Sequence, residues 1–260
     1  MSTAEINGIT IGYDDTGAGP PVVLVHGHPF DRSMWDPQVT SLTGRFITAD
    51  LRGYGSTTVV GGRTPLPVFA EDVAGLLDHL GLDEVVLGGL SMGGQIVMEC
   101  YHQFPDRIRA LLLADTFPRA DTPEAQAHRR TTADRLEAEG MIGYARENLA
   151  KMIAPYNVEA MPAVAAHVMT MMASAPAAGA AAALRGRAER PDYRDLLTTV
   201  TVPTLIVVGR DDEFTPVADA EEMHALIPGS TLVVVEGAAH LPNLEQPAAF
   251  NEALGAFLRG

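Results

Sequence analysis

A short glycine-rich turn around Ser91 constrains the fold of this chain more than any other feature. The turn has the pattern Gly-x-Ser-x-Gly at residues 89–93, directly after the apolar run 84–88. The next residues carry apolar side chains at helical spacing, at Ile96, Val97, Cys100, Tyr101 and Phe104. A serine between a strand and a helix is held in a strained conformation with its hydroxyl pushed out of the sheet, and a Cβ on either flanking glycine would collide with neighbouring backbone. The pattern therefore predicts a strand, a sharp turn with a serine nucleophile, and a helix.

Other apolar runs predict further strands of the same sheet. They lie at residues 22–25, 45–51, 110–114, 204–208 and 232–235, in addition to residues 85–87. Helical patterns fall between several of these runs, for example at residues 67–81. Asn7-Gly8 between two short extended runs predicts an N-terminal hairpin. Because strands alternate with helices, we expect an α/β fold with a mostly parallel, doubly wound sheet.

The alternation is interrupted between residues 121 and 197, where no convincing strand occurs and Ala, Met and Pro are frequent. We predict that residues 121–197 form a helical cap over the carboxyl ends of the strands, where open α/β sheets bind ligands. Residues 1–120 and 198–260 would form the core domain. The alanine run 177–183 suits a helix or a flexible segment equally. Most methionines of this stretch are expected to be ordinary helix-packing residues, and the alternative is that two or three of them line an adaptable apolar pocket; they are Met141, Met152, Met161, Met169, Met171 and Met172.

Composition narrows the classes of function. The 260 residues include 18 basic and 33 acidic side chains, a formal net charge of −15, which disfavours nucleic acid and anionic membranes as partners. Cys100 is the only cysteine, so no intrachain disulfide and no cysteine-ligated metal site is expected. Lys151 is the only lysine and the one candidate for Schiff-base chemistry. The N-terminus lacks a signal sequence pattern and no apolar run reaches membrane-spanning length, so we expect a cytoplasmic protein, monomeric or homodimeric.

Ser91 must be activated to act as a nucleophile, because an alcohol is a poor nucleophile at neutral pH. It requires a base within hydrogen-bond reach and a carboxylate that orients the base. His240 is the predicted base, since it follows the last predicted strand in a loop at the carboxyl edge of the sheet. Five other histidines fall in predicted helices, where surface or packing roles are expected; they are His79, His102, His128, His167 and His224.

The acid is expected after the predicted strand at residues 204–208, where residues 211–213 are all carboxylates. Asp212 is the first choice, because Pro216 is expected to open the next helix and the residue four before it best reaches inward. Asp211 is the fallback, and Asp115 at the end of an earlier strand is a third option. The resulting chain order is Ser, Asp, His, which differs from the orders in chymotrypsin and subtilisin.

A tetrahedral intermediate also needs N–H donors for its oxyanion, and each donor contributes ~10²–10³ in rate in such sites. We expect one donor to be the backbone N–H of Met92, at the start of the helix after the nucleophile. The other is expected to be the N–H of His28, in the loop after the first apolar strand. Gly27 would let that backbone come close, and Pro29 would stiffen the loop, for which a cis peptide bond is one option. His26 is expected to brace the loop.

These motifs together resemble the α/β-hydrolase superfamily over nearly the whole chain. Within it, the chain is most similar to capped serine esterases, 3-oxoadipate enol-lactonases and cofactor-free haloperoxidases (perhydrolases). The resemblance rests on residues 26–29, 33–35, 50–56, 89–94, 209–216 and 237–247. It implies an α/β-hydrolase sheet with an inserted cap, and hydrolysis through an acyl-enzyme without a metal or organic cofactor. It also implies that Asp50, Arg52 and Gly53 shape the turn below the active site.

Departures from subfamily patterns separate the alternatives. Dehalogenases and epoxide hydrolases of this fold use an aspartate nucleophile, so a serine at position 91 disfavours both. Enol-lactonases usually open the oxyanion loop with Asn-Ser, whereas this chain has His26-Gly27, although residues 241–247 resemble theirs. The leading hypothesis is therefore hydrolysis of small-molecule esters with small to medium acyl groups. Lactone hydrolysis, C–C bond hydrolysis and perhydrolase activity stay open, as does a ligand receptor on the same scaffold.

Overall fold

A single eight-stranded sheet organises the molecule. The computed structural model covers residues 1–260. Its strands are β1 (Ser2–Ile6), β2 (Ile9–Thr16), β3 (Pro21–Val25), β4 (Arg45–Ala49), β5 (Val85–Leu90), β6 (Ile108–Ala114), β7 (Thr204–Gly209) and β8 (Thr231–Val235). They lie in the order β1-β2-β4-β3-β5-β6-β7-β8. In this spatial order, each pair of neighbouring strands from β4 onward is parallel. The predicted α/β fold with a mostly parallel sheet is confirmed.

The N-terminal hairpin joins the sheet as its antiparallel edge. β1 pairs antiparallel with β2, and β2 pairs antiparallel with β4. Ile6 is the register partner of Ile9, so Asn7 and Gly8 form the two-residue turn. Both turn residues have positive φ, 49° and 76°, which this type of hairpin turn requires and which Asn and Gly tolerate best. The sequence therefore predicts this turn correctly.

Helices cover both faces of the sheet. They are α1 (Asp36–Ser41), α2 (Leu66–His79), α3 (Met92–Gln103), α4 (Pro123–Glu139), α5 (Met141–Met152), α6 (Pro155–Ala160), α7 (Pro162–Ser174), α8 (Ala177–Arg187), α9 (Arg194–Leu197), α10 (Val217–Leu226), α11 (Pro242–Glu245) and α12 (Pro247–Arg259). Alternate residues of each strand face opposite sides. In β3, Val23 packs into the core with α2, α3 and α10, whereas Leu24 packs into the core with α12. The doubly wound arrangement follows.

Six consecutive helices, α4 to α9, separate β6 from β7. The alanine run whose conformation the sequence leaves open is part of α8. None of the twelve helices alone is long and apolar enough to cross a membrane; α7 and α8 meet those criteria only as a pair, and they are bent at 87° to each other. The division into a core domain and a cap at residues 121–197 stays a prediction, which the helical content of the segment supports.

The turn between β5 and α3 has the close backbone packing that the glycine pattern indicates. Ser91 adopts φ 58° and ψ −116°, a conformation that is unusual for a residue with a side chain. A Cβ on Gly93 would collide with the carbonyl oxygen of Val25 in β3, and a Cβ on Gly89 would collide with the backbone of Gly93. The helix can therefore begin directly above the sheet only because both flanking residues are glycine. Cys100, on the inner face of α3, is fully buried as expected.

Candidate active site

The predicted serine, acid and histidine all lie at the carboxyl edge of the sheet. Ser91 follows β5, Asp212 follows β7 and His240 follows β8. All three side chains are buried. His240 Nδ1 lies 2.7 Å from Asp212 Oδ2, a hydrogen-bond distance. Residues that are far apart in the sequence are thus brought together, because the ends of neighbouring parallel strands meet at one edge.

Asp212 is surrounded by donors that favour its ionised form. Its Oδ1 accepts hydrogen bonds from the backbone N–H groups of Phe214, at 2.8 Å, and Thr215, at 3.2 Å, and its Oδ2 accepts one from the Thr215 hydroxyl. Burial raises the pKa of Asp212, but the charge of His240 and these hydrogen bonds outweigh it, so the pKa lies below its usual value. A carboxylate bonded to Nδ1–H leaves Nε2 of the imidazole as the proton acceptor.

Ser91 and His240 line one cavity of about 290 Å³, hereafter the Ser91 cavity. No hydrogen bond joins the Ser91 hydroxyl to the imidazole in this structure. Such catalytic contacts often tighten only when substrate is bound. The structure therefore brings the predicted base and its predicted acid into direct contact and places the predicted nucleophile in the same cavity.

The two alternative acids occupy different surroundings. Asp211 is exposed, and its Oδ2 accepts a hydrogen bond from the Tyr156 hydroxyl rather than from His240. Asp115 is buried behind Asp212, with one oxygen accepting a hydrogen bond from Gly209 N at 2.8 Å and the other without a partner. Of the three candidate acids, only Asp212, the first choice, forms a hydrogen bond with His240.

Asp115, Asp212 and His240 also form the one group of side chains with the spacing of a metal site. Potential ligand atoms of the three lie within 4.8 Å of one another. However, Nδ1 of His240 is engaged with Asp212, and an oxygen of Asp115 is engaged with the backbone. Burial, followed by the charge of Asp212, raises the pKa of Asp115 well above its usual value. The cluster is thus arranged around internal hydrogen bonds.

Both backbone N–H groups that are expected to bind the oxyanion are unpaired. Neither the His28 N–H nor the Met92 N–H donates a hydrogen bond to another group of the protein. His28 lines the Ser91 cavity, and the peptide bond between His28 and Pro29 is cis. Nε2 of His26 accepts a hydrogen bond from Leu51 N at 2.9 Å, so His26 braces this loop against the next one. Two unpaired N–H groups beside a serine can stabilise a developing oxyanion.

The turn after β4 has the structural roles that the resemblance implies. Asp50 accepts hydrogen bonds from the backbone N–H groups of Arg32, at 2.9 Å, and Ser56, at 2.8 Å. Arg52 forms a two-pronged ion pair with Asp72 of α2, with both distances 2.7 Å. These contacts fix the turn beneath the loop that carries His28.

The helices between β6 and β7 supply much of the cavity wall. Arg129, Tyr144, Met152 and Arg187 line it, and Met152 is the only one of the six methionines that does so. Neither arginine belongs to a motif that indicates a function from sequence. Helical spacing could not have singled out Arg187, because α8 is buried on almost all sides, from Gly179 to Leu184 without interruption and again at Gly186 and Arg187.

Comparisons with known proteins agree with the geometry. A family model described as alpha/beta hydrolase family matches residues 22–253. The 3-oxoadipate enol-lactonase 2 of Acinetobacter baylyi is 30% identical over 256 residues, covering 98% of this chain and 93% of that protein. A putative non-heme chloroperoxidase of Synechocystis is 29% identical over 271 residues, covering 96% and 95%. The malate-bound structure of a thermophilic esterase from Thermogutta terrifontis superposes with a TM-score of 0.95 and 42% identity, covering 99% of this chain and 96% of that one. The resemblance drawn from the motifs is confirmed.

Proposed function

The chain belongs to the alpha/beta hydrolase family, and we propose that it is a serine hydrolase that cleaves esters of small to medium carboxylic acids through an acyl-enzyme on Ser91. The observation that carries the proposal is the hydrogen bond between Asp212 and His240 beside a serine held at positive φ in the same cavity. The esterase activity named for the 42% identical structure supports the same reaction class.

The first half-reaction follows from the roles of these groups. Nε2 of His240 takes the proton of the Ser91 hydroxyl as its oxygen attacks the ester carbonyl. Asp212 holds the imidazole in the required tautomer and stabilises the imidazolium that forms. The backbone N–H groups of His28 and Met92 bind the oxyanion of the tetrahedral intermediate. The imidazolium then protonates the leaving alcohol as the C–O bond breaks, which leaves the acyl group on Ser91.

The second half-reaction repeats these roles with water. His240 takes a proton from a water molecule, which attacks the acyl carbonyl. A second tetrahedral intermediate uses the same two N–H donors. Its collapse releases the carboxylic acid and returns the proton to the Ser91 oxygen. The cycle needs one water and yields one acid and one alcohol.

The direct test is the Ser91→Ala variant assayed with p-nitrophenyl acetate. We expect loss of turnover of about 10⁴-fold or more, since no other group replaces the nucleophile. Ser174→Ala is the matched control, because Ser174 is exposed in α7 and its hydroxyl bonds only backbone carbonyls of that helix. Circular dichroism and thermal unfolding of both variants establish that they are folded. Full turnover by a folded Ser91→Ala protein would refute the proposal.

Lactone hydrolysis is the second candidate, because the 30% identical relative is named an enol-lactonase. A lactone is an internal ester, so the same groups serve and the alcohol and acid leave as one molecule. Peracid formation is the third option, because one relative is named a putative non-heme chloroperoxidase; it needs hydrogen peroxide to attack the acyl-enzyme in place of the water of the second half-reaction. Rates for acyl esters of increasing length, for lactones and for peracid formation separate these candidates. A product burst equal to the enzyme concentration without steady turnover would instead indicate a receptor.

A further inference from the structure

Arg187 is a buried cation without an anionic partner. Its side chain is 6% exposed, and no carboxylate oxygen lies within 4 Å of its guanidinium. Nε donates a hydrogen bond to Gln95 Oε1 at 3.0 Å, whereas the two terminal nitrogens donate none. An unpaired charge is strongly unfavourable away from water, so buried arginines are normally paired. The position of Arg187 on the wall of the Ser91 cavity indicates that the missing partner comes from outside the protein.

The arginines near Arg187 also have few anionic partners. Arg129 and Arg190 share a single carboxylate, that of Asp121. Burial lowers the pKa of Arg187 well below its usual value, and the charges of Arg129 and Arg190 act in the same direction. Asp121 is therefore the one carboxylate paired within this group of three arginines, and it contacts Arg129 and Arg190 but not Arg187. A bound anion would supply what this part of the cavity lacks.

Neighbouring neutral groups also offer donors without acceptors. The Tyr144 hydroxyl, on the wall of the Ser91 cavity, donates no hydrogen bond. The amide nitrogen of Gln95, whose oxygen accepts the Arg187 bond, is buried with no partner, although Gln95 itself does not line the cavity. A carboxylate accepts hydrogen bonds through both oxygens and donates none, and its planar shape matches the two terminal nitrogens of a guanidinium. Because the site presents donors in excess of acceptors, a carboxylate complements it better than an alcohol or an amide.

The approach to the cavity is also suited to an anion, despite the acidity of the whole chain. A groove of about 590 Å³, the outer groove, shares Arg129, Tyr144 and Phe214 with the Ser91 cavity. It contains Lys151, the only lysine of the chain, which forms no ion pair. The one acidic residue in its lining, Glu147, is paired with Arg135 at 2.7 Å. The outer groove beside the Ser91 cavity therefore carries an unpaired cation and no unpaired carboxylate.

We propose that Arg187 binds a free carboxylate of the substrate, so that the enzyme favours esters or lactones that carry a second, unesterified carboxylate. The inference rests on the proposed function, because the ester must lie at Ser91 while the carboxylate lies at Arg187. Arg187 is then a specificity residue that positions the ester for attack. Esters of the same length that end in a methyl group would leave the guanidinium unpaired.

Two matched pairs of substrates test the proposal. Monomethyl glutarate and methyl pentanoate differ only by a terminal carboxylate or methyl on the acyl side, and 4-acetoxybutanoate and butyl acetate differ in the same way on the alcohol side. We expect kcat/KM of wild type to favour the acid at least about tenfold in one pair, the effect of a charged hydrogen bond. In Arg187→Met this preference should disappear, mainly through KM of the acid, and Arg187→Lys should retain part of it.

Arg194→Met is the matched control, because Arg194 is exposed and pairs with Asp192 on the surface; it should keep the wild-type preference. Equal rates for acid and neutral ester in both pairs, or a preference that survives Arg187→Met, would overturn the inference. If Arg187→Met does not fold, inhibition of wild type decides: glutarate should inhibit at least about tenfold more tightly than pentanoate, and equal inhibition contradicts the proposal.

The Ser91→Ala variant separates this inference from the proposed function. Calorimetry on that variant measures glutarate and pentanoate binding without turnover. Preferential glutarate binding together with retained ester turnover would refute the serine mechanism and leave the carboxylate site standing. Loss of turnover together with equal binding of the two acids would support the serine mechanism and refute the carboxylate site.

Discussion

At the scale of single residues, two adjacent aspartates differ completely in their surroundings. Asp212 is buried, accepts hydrogen bonds from two backbone N–H groups and forms a hydrogen bond with His240. Asp211 is exposed and accepts a hydrogen bond from Tyr156. The turn after β7 directs one carboxylate inward and the other outward, so position within the turn decides which of them can orient a histidine.

This contrast supplies a matched pair of variants. Asp212→Asn should lower kcat for p-nitrophenyl acetate by about 10³–10⁴-fold, because an amide cannot stabilise the imidazolium or hold its tautomer. Asp211→Asn should stay within about twofold of wild type. Steady-state kinetics on both folded variants measure the effect. Comparable losses in the two variants, or none in Asp212→Asn, would assign the acid elsewhere.

Asp115 carries a prediction about stability and pH. Its carboxyl is buried with one oxygen unpaired, and burial together with the Asp212 charge raises its pKa. The folded state thus favours the neutral form of Asp115, so the raised pKa stabilises the protein at low pH. This contribution to stability is complete below pH 3.8, the ordinary pKa of an aspartate, and is lost as the pH rises through the raised pKa. Asp115→Asn, which mimics the neutral acid, should therefore raise the free energy of unfolding at pH 8 by about 1–3 kcal/mol.

The gain from Asp115→Asn should shrink as the pH is lowered from 8 to 5, and urea unfolding at several pH values measures it. Asp106→Asn is the control, since Asp106 is exposed and has no ion pair; its effect should be near zero throughout. A gain that is independent of pH, or a loss at pH 8, would contradict the assignment of a raised pKa to Asp115.

At the scale of elements, the sequence predicts what is local and misses what depends on distant packing. Apolar runs mark the parallel strands because both faces of such strands are buried, and each loop that follows one must reach the same edge. That logic is sufficient for Ser91, Asp212 and His240. It gives no position for Arg187, because the sheet rule does not apply to α8, and the side chains that a helix turns toward a cavity depend on how the whole helix is packed. The side chains that these helices place on the cavity wall are therefore less predictable from the sequence than those at the ends of the strands.

The close contact between α3 and β3 leaves no room for a side chain at Gly93. Gly93→Ala should destabilise the protein by about 3 kcal/mol or more, because the added Cβ collides with the Val25 carbonyl and neither backbone can move freely. Gly143→Ala in α5 is the control: nothing lies within 4 Å of its added Cβ, and alanine should stabilise the helix by about 0.5–1 kcal/mol. Chemical denaturation of both variants gives the comparison. Similar effects of the two changes would show that the elbow is more loosely packed than its backbone distances indicate.

At the scale of the whole molecule, one buried carboxylate joins the helices between β6 and β7 to the loop of His240. Glu245 is fully buried in α11. Its Oε1 accepts a hydrogen bond from Ala239 N at 2.8 Å, next to His240. Its Oε2 accepts hydrogen bonds from Ala154 N at 2.8 Å and from Asn157 Nδ2 at 2.7 Å. The segment around Ala154 and Asn157 is thereby fixed relative to the loop of His240.

Removing this carboxylate should therefore affect stability and catalysis together. Glu245→Ala leaves the backbone N–H groups of Ala154 and Ala239 without an acceptor and removes one of the two acceptors of Asn157 Nδ2, so we expect the free energy of unfolding to fall by about 3–5 kcal/mol. Because Ala239 loses its bond, His240 should be less well positioned, and kcat should fall even at temperatures where the variant is fully folded. Glu236→Ala removes an exposed glutamate paired with Arg210, so it should cost less than about 1 kcal/mol and leave kcat unchanged. Urea unfolding and kinetics on the same preparations measure both quantities. A stability loss with an unaltered kcat would mean that the His240 loop holds its geometry without the adjoining helices.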